Sequence, residues 1–202
     1  MIFAVTGGLG TGKSTVAKVI AATLGAAYLD TDQVCRMQMQ PGNSGYQRFV
    51  AAFGRTFLLA DGGIDRDRLR SEVFSNPDAK NKLESILHPL VRDKVVSLAD
   101  SCNSNGTDLV IEVPLLFEVG WRDRYDYCVV VYVPEEMCIE RVKKRDRLAV
   151  QQIREIIDSQ MNIEQKRKLA DYVIDNSTTF AGMICQVAFW KRNVLGKPII
   201  RN

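Results

Sequence analysis

The feature that most constrains this chain is a glycine-rich segment near its start, Gly7-Gly8-Leu9-Gly10-Thr11-Gly12-Lys13-Ser14. It satisfies the pattern G-x-x-x-x-G-K-[ST], in which glycines let the backbone turn tightly and expose N–H groups to phosphate oxygens. The apolar run at 2–6 predicts a strand before it, and the pattern at 13–24 predicts a helix after it. This order of elements is typical of a loop that binds phosphate at a helix N-terminus.

The loop predicts a magnesium nucleoside triphosphate as ligand. Lys13 is expected to reach the β- and γ-phosphates, and the Ser14 hydroxyl is placed to bind the Mg²⁺ that bridges them. A glycine-rich turn without a ligand is the alternative, and the flanking strand and helix argue against it. The residues expected to bind ATP here are Gly7, Gly8, Gly10, Thr11, Gly12, Lys13, Ser14 and Thr15.

The rest of the chain alternates short apolar runs with helical patterns. Strands are predicted at 2–6, 27–29, 109–113, 127–133 and 172–174, and helices at 13–24, 135–144, 149–168 and 180–193. This alternation predicts a three-layer α/β fold with a five-stranded parallel sheet. The block at 31–99 has no convincing strand and is longer than a simple crossover needs, so we expect a helical subdomain there.

Length and composition exclude several classes of protein. A chain of 202 residues fits one domain, 1–202, and its apolar runs are too short to span a bilayer. Five scattered cysteines form no C-x-x-C pair, so we expect them to be buried packing residues. A single histidine excludes a multi-histidine metal site. With no secretory leader pattern at the start, we expect a cytoplasmic location.

A loop of this type leaves the reaction open among small-molecule kinases, switch GTPases and motor ATPases. No Asp is followed by x-x-Gly, and the nearest approach to N-K-x-D is Asn81-Lys82-Leu83-Glu84, which lacks the aspartate and falls within a predicted helix. The GTPase interpretation is therefore weakened.

Two acidic positions lie at predicted strand ends, where ligands collect in open α/β sheets. Asp32, in Asp30-Thr31-Asp32, is a candidate base for an attacking hydroxyl or a magnesium ligand through water; capping of a helix that begins at Gln33 is the alternative. Glu112, at the end of the strand predicted at 109–113, resembles a Walker-B acid near magnesium, which it would bind through water, and a plain strand-end carboxylate is its alternative.

The positive charge of the chain is concentrated in one segment. The net charge is +3, and the octamer from Glu140 to Arg147 holds five basic and two acidic residues, so the excess lies there. A net charge this small gives no argument for nucleic-acid binding. Arg141 and Arg145 share a helix face, where two guanidiniums can grip phosphate oxygens. The segment at 140–152 is a solvated helix or, beside a triphosphate, a lid that excludes water.

Taken in order, these residues resemble the dephospho-CoA kinase family nearly end to end. The matching segments are the loop through Thr15, Asp30-Thr31-Asp32, Pro41-Gly42, Gly63-Ile64-Asp65-Arg66 with Leu69, His88-Pro89, Pro114-Leu115-Leu116-Phe117-Glu118, Arg141 to Asp146, Gln160, and Ala170 to Asn176. The resemblance implies a P-loop kinase fold like that of nucleoside monophosphate kinases, with a helical domain for dephospho-CoA and a lid. It implies ATP-dependent phosphorylation of the ribose 3′-hydroxyl of dephospho-CoA, with ATP and dephospho-CoA as small-molecule partners and Mg²⁺ as cofactor.

The resemblance also implies roles for single residues. Asp32 falls on the family's candidate base for the 3′-hydroxyl, and Asn176 on the region that holds adenine, with a turn asparagine as its alternative. Arg66 fits a phosphate or ribose contact or else a solvated charge. His88, Pro114 and Leu115 are expected on the substrate side. His88 is assigned to the architecture of that side rather than to proton transfer, because a histidine before a proline often shapes a helix start. The alternative functions are another small-molecule or nucleotide kinase of the same fold and, from a different class, a nucleotide-dependent switch or binding module without transfer chemistry. The oligomeric state is left open.

Overall fold

A five-stranded parallel sheet organises the molecule. The structure, a computed structural model, describes residues 1–194 apart from the side chains of Phe74 and Val194, so residues 195–202 of the expected domain lie outside the described residues. The strands are β1 (Ile2–Gly7), β2 (Ala27–Asp30), β3 (Leu109–Glu112), β4 (Tyr127–Tyr132) and β5 (Tyr172–Asp175). The helices are α1 (Lys13–Leu24), α2 (Thr31–Gln38), α3 (Ser44–Phe53), α4 (Arg66–Ser75), α5 (Pro77–Ser104), α6 (Glu135–Asp146), α7 (Val150–Asp158), α8 (Ile163–Leu169) and α9 (Phe180–Val194).

The strand order β2-β3-β1-β4-β5 puts β1 at the centre, between β3 and β4. Every pairing is parallel, and in register Glu112 lies between Val5 of β1 and Asp30 of β2. The carboxyl ends of all five strands therefore lie at one edge of the sheet. The chain continues to one side of β1 with β2 and β3 and to the other side with β4 and β5. The predicted α/β class with five parallel strands is confirmed.

The sheet is buried because its strands are apolar on both faces. α1 and α9 cover one face, where Phe3 stacks on Tyr127 with ring centroids 5.6 Å apart and meets Trp190 edge-on at 5.4 Å. Removing this much aromatic and aliphatic surface from water is the main source of stability for the sheet. The buried cluster comprises Phe3, Val5, Val16, Ala17, Ile20, Ala21, Val110, Val129, Val131, Ile174, Met183, Val187 and Trp190.

The described chain divides into two compact units. One contains residues 1–30 and the chain from 101 onward, and so holds the whole sheet; the other contains residues 31–100. The second unit is helical, with α2, α3, α4 and most of α5, and its one β-bridge joins Leu58 to Ile64. Within residues 1–194 no helix combines the length and apolarity needed to cross a lipid bilayer.

Three local expectations were wrong. The pattern at 149–168 is two helices, because the Asn162 side chain accepts a bond from Glu164 N–H at 2.8 Å and starts α8. His88-Pro89 does not start a helix; it lies inside α5, whose 28 residues tolerate the loss of the one backbone hydrogen bond that proline cannot donate. Cysteines are not uniformly buried, since Cys35 is half-buried and Cys185 is exposed on α9.

Candidate active site

The phosphate-binding loop joins β1 to α1, and its conformation depends on glycine. Gly12, the N-cap of α1, has φ 80°, and a Cβ there would lie 2.5 Å from Asn176 Nδ2. Gly10 has φ 77°, and a Cβ there would lie 2.9 Å from the carbonyl oxygen of Cys138. Backbone strain and the neighbouring segments therefore both exclude a side chain at these positions.

Two side chains of the loop converge on one backbone oxygen. Thr11 Oγ1 donates to the Gly8 carbonyl oxygen at 3.0 Å, and Lys13 Nζ donates to the same oxygen at 2.8 Å. These bonds close the loop and keep the Lys13 ammonium beside it. An ammonium next to the N–H groups of a helix start is a site suited to phosphate oxygens.

The hydroxyl of Ser14 lies against a carboxylate from β3. Ser14 Oγ donates to Glu112 Oε1 at 2.8 Å, and the Tyr28 hydroxyl donates to Glu112 Oε2 at 2.7 Å. Glu112 is only 4% exposed. Burial, followed by the bond to Glu112, raises the pKa of Tyr28 far above its ordinary value, so its hydroxyl keeps its proton and remains a donor. The fold thus brings Ser14 and Glu112 together at the sheet edge.

Asn176 connects the loop to α6. Its Nδ2 donates to the Thr11 carbonyl oxygen at 2.8 Å, and its own carbonyl oxygen accepts from Arg141 Nη2 at 2.8 Å. The side-chain amide therefore has a bond that crosses 165 residues of sequence, which a plain turn asparagine would not need. Arg141 is half-buried.

A cavity of about 370 Å³ opens between the loop, α6 and the start of α9, and we call it the α6–α9 cavity. Arg141 and Arg145 both line it, as their spacing on one helix face predicts. Arg145 is 64% exposed and makes two bonds of 2.8 Å to Asp146, which raise the pKa of Arg145. The lining residues are Gly10, Gly12, Thr15, Arg141, Val142, Arg145, Asn176, Thr178 and Phe180.

A second cavity, of about 150 Å³, lies between the loop and the segment from α6 to α8. Gln160 lines it together with Gly8 and Thr11 of the loop, and apolar side chains that include Leu9 and Ile157 complete its wall. The same two residues pack against the buried cluster of Ile139, Val142 and Ile153. The segment expected to be a lid is therefore packed as a pair of helices, α6 and α7, in the described chain.

The segment after β3 is fixed from two sides. The Pro114 carbonyl oxygen accepts from Thr6 Oγ1 at 3.2 Å and from Lys166 Nζ at 3.1 Å. Lys166 is fully buried on α8, and its ammonium lies 2.8 Å from Glu118 Oε1, which also accepts from Met161 N–H at 2.9 Å. Leu115, next to Pro114, is exposed. These contacts join β1, the segment 114–118 and α8.

Three of the predicted site residues belong to the helical unit. Asp32 is exposed in the first turn of α2, which begins at Thr31. The alternative interpretation, in which Asp32 caps a helix that begins at Gln33, was therefore wrong. Arg66 is exposed at the first position of α4, after the N-cap Asp65. His88 is half-buried within α5. Their roles toward a substrate stay predictions.

Comparison with known proteins identifies the family of this chain. The model of the dephospho-CoA kinase family matches residues 1–182. A dephospho-CoA kinase of Pseudoalteromonas translucida is 38% identical over 175 residues, which cover 87% of this chain and 82% of that protein. The chain belongs to the dephospho-CoA kinase family. It is therefore a kinase that transfers phosphate to a hydroxyl group in the final step of coenzyme A synthesis, and ATP is the co-substrate that this family implies.

Solved structures show the same fold. A Thermus thermophilus protein has a TM-score of 0.81 at 29% identity and covers 97% of this chain, which in turn covers 96% of that protein. The dephospho-CoA kinase from Campylobacter jejuni has a TM-score of 0.68 at 28% identity, with 96% of each chain covered. The expected P-loop kinase fold is confirmed, and switch and binding modules without transfer chemistry are not favoured.

Sequence reasoning missed several residues of this candidate site. Tyr28 lies two residues before Asp30 on β2, so the spacing shows that the two side chains share a face of the strand. It does not show that Tyr28 reaches Glu112. Thr178 and Phe180 follow the carboxyl end of β5, a position where ligands collect, and this signal was available. Lys166 had no signal, because a buried lysine within a basic helix looks like a solvated one.

Proposed function

We propose that this chain transfers the γ-phosphoryl group of magnesium ATP to the ribose 3′-hydroxyl of dephospho-CoA at the carboxyl edge of its sheet. The observation that carries this proposal is the continuity of the loop with the α6–α9 cavity. Gly10 and Gly12 belong to both, so a triphosphate in the loop extends naturally into a space bounded by Arg141, Asn176 and Phe180. A nucleoside fits such a space, with its base between arginine and aromatic side chains.

The donor set at the loop fits Mg²⁺. The Ser14 hydroxyl and the buried Glu112 carboxylate are hard oxygen donors 2.8 Å apart. Within residues 1–194 no cluster of three or more His, Cys, Asp or Glu side chains offers a metal cage. Mg²⁺ usually takes only one or two protein ligands and shares the rest with phosphates and water. When bound, the ion would neutralise charge on the β- and γ-phosphates; Ser14 would hold it directly and Glu112, or Asp32, through water.

Cationic side chains would supply the rest of the positive charge that the triphosphate needs. Lys13 would bind the β- and γ-phosphates, where negative charge shifts during transfer. Arg141 and Arg145 would close over the triphosphate from α6 and keep water away from it. Arg145 is suited to this because its bonds to the neighbouring Asp146 are exposed and cost little to exchange for phosphate.

The helical unit would bind the acceptor. Asp32 follows the end of β2 by two residues and would orient the ribose 3′-hydroxyl and accept its proton. Arg66, His88, Pro114 and Leu115 would also contact the acceptor. A cytoplasmic location stays a prediction.

A coupled assay tests the proposal. Purified protein receives ATP and Mg²⁺, with dephospho-CoA, with its 3′-deoxy analogue or with no acceptor; ADP release and the mass of the product are measured. We expect ADP release with dephospho-CoA alone, and a product that gains one phosphoryl group. Equal ADP release in all three samples would show an ATPase, and transfer to AMP in place of dephospho-CoA would show another nucleotide kinase.

A further inference from the structure

The Glu112 carboxylate has a hydroxyl donor on each of its two oxygens. Ser14 Oγ donates to Oε1 at 2.8 Å, and the Tyr28 hydroxyl donates to Oε2 at 2.7 Å. The two donors come from different elements, α1 and β2, on either side of the strand that carries Glu112. Glu112 is almost fully buried, Tyr28 is half-buried and Ser14 is exposed, so the chain of three side chains reaches the surface at the loop.

The direction of these bonds decides what the Ser14 hydroxyl can offer. A serine hydroxyl has one proton and two lone pairs, and a bond to one acceptor fixes where all three point. Because the Ser14 proton is donated to Glu112, the lone pairs are left for an electrophile such as a metal ion. A serine near a helix start that lacks this partner turns to donate to a backbone carbonyl, which moves its lone pairs elsewhere.

Tyr28 determines where Glu112 lies. The terminal torsion of a glutamate is broad, so a carboxylate held at one oxygen still rotates. The bond from Tyr28 removes that freedom, because the ring is attached to a paired strand and its single hydroxyl donor meets Oε2. A carboxylate bound at both oxygens presents Oε1 to Ser14 in one orientation.

We propose that Tyr28 is a positioning residue for the metal–nucleotide complex. Tyr28 fixes Glu112, and Glu112 fixes the Ser14 hydroxyl with its lone pairs directed toward a divalent cation that is bound with a nucleoside triphosphate. This inference rests on the proposed function for its ligand. It concerns the metal-dependent part of nucleotide affinity, and it assigns Tyr28 no contact with the nucleotide itself.

The test measures binding, without turnover. Calorimetry gives the affinity of the full chain for β,γ-imido-ATP in Mg²⁺ and in EDTA, for the wild type, Tyr28→Phe, Ser14→Ala and the double variant. We expect Tyr28→Phe to lower the affinity in Mg²⁺ by about tenfold, the scale of one lost bond to a charged group, and to leave the affinity in EDTA unchanged. Tyr28→Phe should have a smaller effect once Ser14 is alanine, since its direct route to the cation runs through that hydroxyl.

A matched control is Tyr172→Phe, another half-buried strand tyrosine, at the start of β5, which should leave both affinities unchanged. Equal losses in Mg²⁺ and EDTA, no loss, or an undiminished loss in the Ser14→Ala background would each overturn the inference. A wild type that gains no affinity from Mg²⁺ would overturn the proposed magnesium site itself. A Tyr28→Phe protein with a lower melting temperature and a wild-type ratio of the two affinities would show a structural role only.

Discussion

At the scale of single residues, Lys13 supplies the positive charge nearest the loop. Lys13→Ala removes a cation from the γ-phosphoryl group as its charge shifts, and we expect turnover to fall by roughly a hundredfold or more. Steady-state kinetics measure this, with Lys143→Ala as control because Lys143 is exposed on α6 and outside both cavities. Near-normal turnover by Lys13→Ala would contradict the assignment of the loop.

Asp32 is the residue proposed to accept the proton of the ribose 3′-hydroxyl. Asp32→Asn keeps the shape of the side chain and removes the acceptor, so we expect single-turnover transfer to fall by roughly a hundredfold or more while ATP affinity is kept. Asp67→Asn is a matched control, since Asp67 is also exposed in the first turn of a helix. A loss of only about tenfold would indicate positioning, and lost ATP affinity would place Asp32 on the magnesium ion.

Phe180 is exposed at the edge of the α6–α9 cavity, where it can stack on a base. We expect Phe180→Ala to weaken ATP binding by about tenfold, because a stacked base contributes about 1 to 3 kcal/mol, and to leave the affinity for inorganic tripolyphosphate unchanged. Phe189→Ala is the control, since the two side chains are 59% and 62% exposed on the same helix and only Phe180 lines the cavity. Equal effects of the two variants would remove Phe180 from the nucleotide site.

At the scale of elements, α6 presents two arginines with different surroundings. Arg141 bonds the Asn176 carbonyl oxygen and is half-buried, whereas Arg145 pairs with Asp146 in solvent. We expect both alanine variants to lower turnover, Arg141→Ala to lower the free energy of unfolding by about 1 kcal/mol, and Arg145→Ala to change it by less than about 0.5 kcal/mol.

Urea unfolding and steady-state kinetics of the same preparations check these two effects. Lys144→Ala is the control, since Lys144 is exposed on the same helix and does not line the α6–α9 cavity. An Arg145→Ala protein with normal turnover would remove that arginine from the proposed lid. A destabilised Arg145→Ala protein would make it a structural residue.

At the scale of the whole molecule, buried thiols make the fold sensitive to alkali. Burial raises the pKa of Cys128 from 9.0 to about 12 and that of Cys138 from 9.0 to about 11. Above pH 9 the unfolded chain releases these protons while the native protein keeps them. The free energy of unfolding is therefore expected to be level below pH 9 with respect to these groups and to fall as pH rises from 9 toward 11.

Urea denaturation between pH 7.5 and 11 checks this sign. Cys128→Ala should be less stable at pH 7.5 because a buried group is lost, and its stability should fall less steeply above pH 9. Cys185→Ala, at the exposed thiol on α9, should keep the wild-type slope. Parallel slopes for all three proteins would show that Cys128 is not responsible.

The sequence by itself determined the features that depend on local pattern. The strand Ile2–Gly7 and the helix Lys13–Leu24 follow from apolar runs. The loop between them follows from glycines, which adopt backbone conformations that other residues rarely adopt. The spacing of Arg141 and Arg145 placed both on one cavity, because four residues make about one helical turn. Family resemblance then fixed the reaction, since its motifs run in order along nearly the whole chain.

Only the tertiary structure decided which distant side chains meet. Tyr28 and Ser14 share Glu112, Asn176 bonds Thr11 across most of the chain, and Lys166 is buried against Glu118. No periodicity encodes such pairs, because they depend on strand order and on how burial changes the cost of a charge or an unpaired donor. Pro89 shows the same principle at the level of an element. A local rule ends a helix before a proline, and a helix of 28 residues has enough other bonds to continue through it.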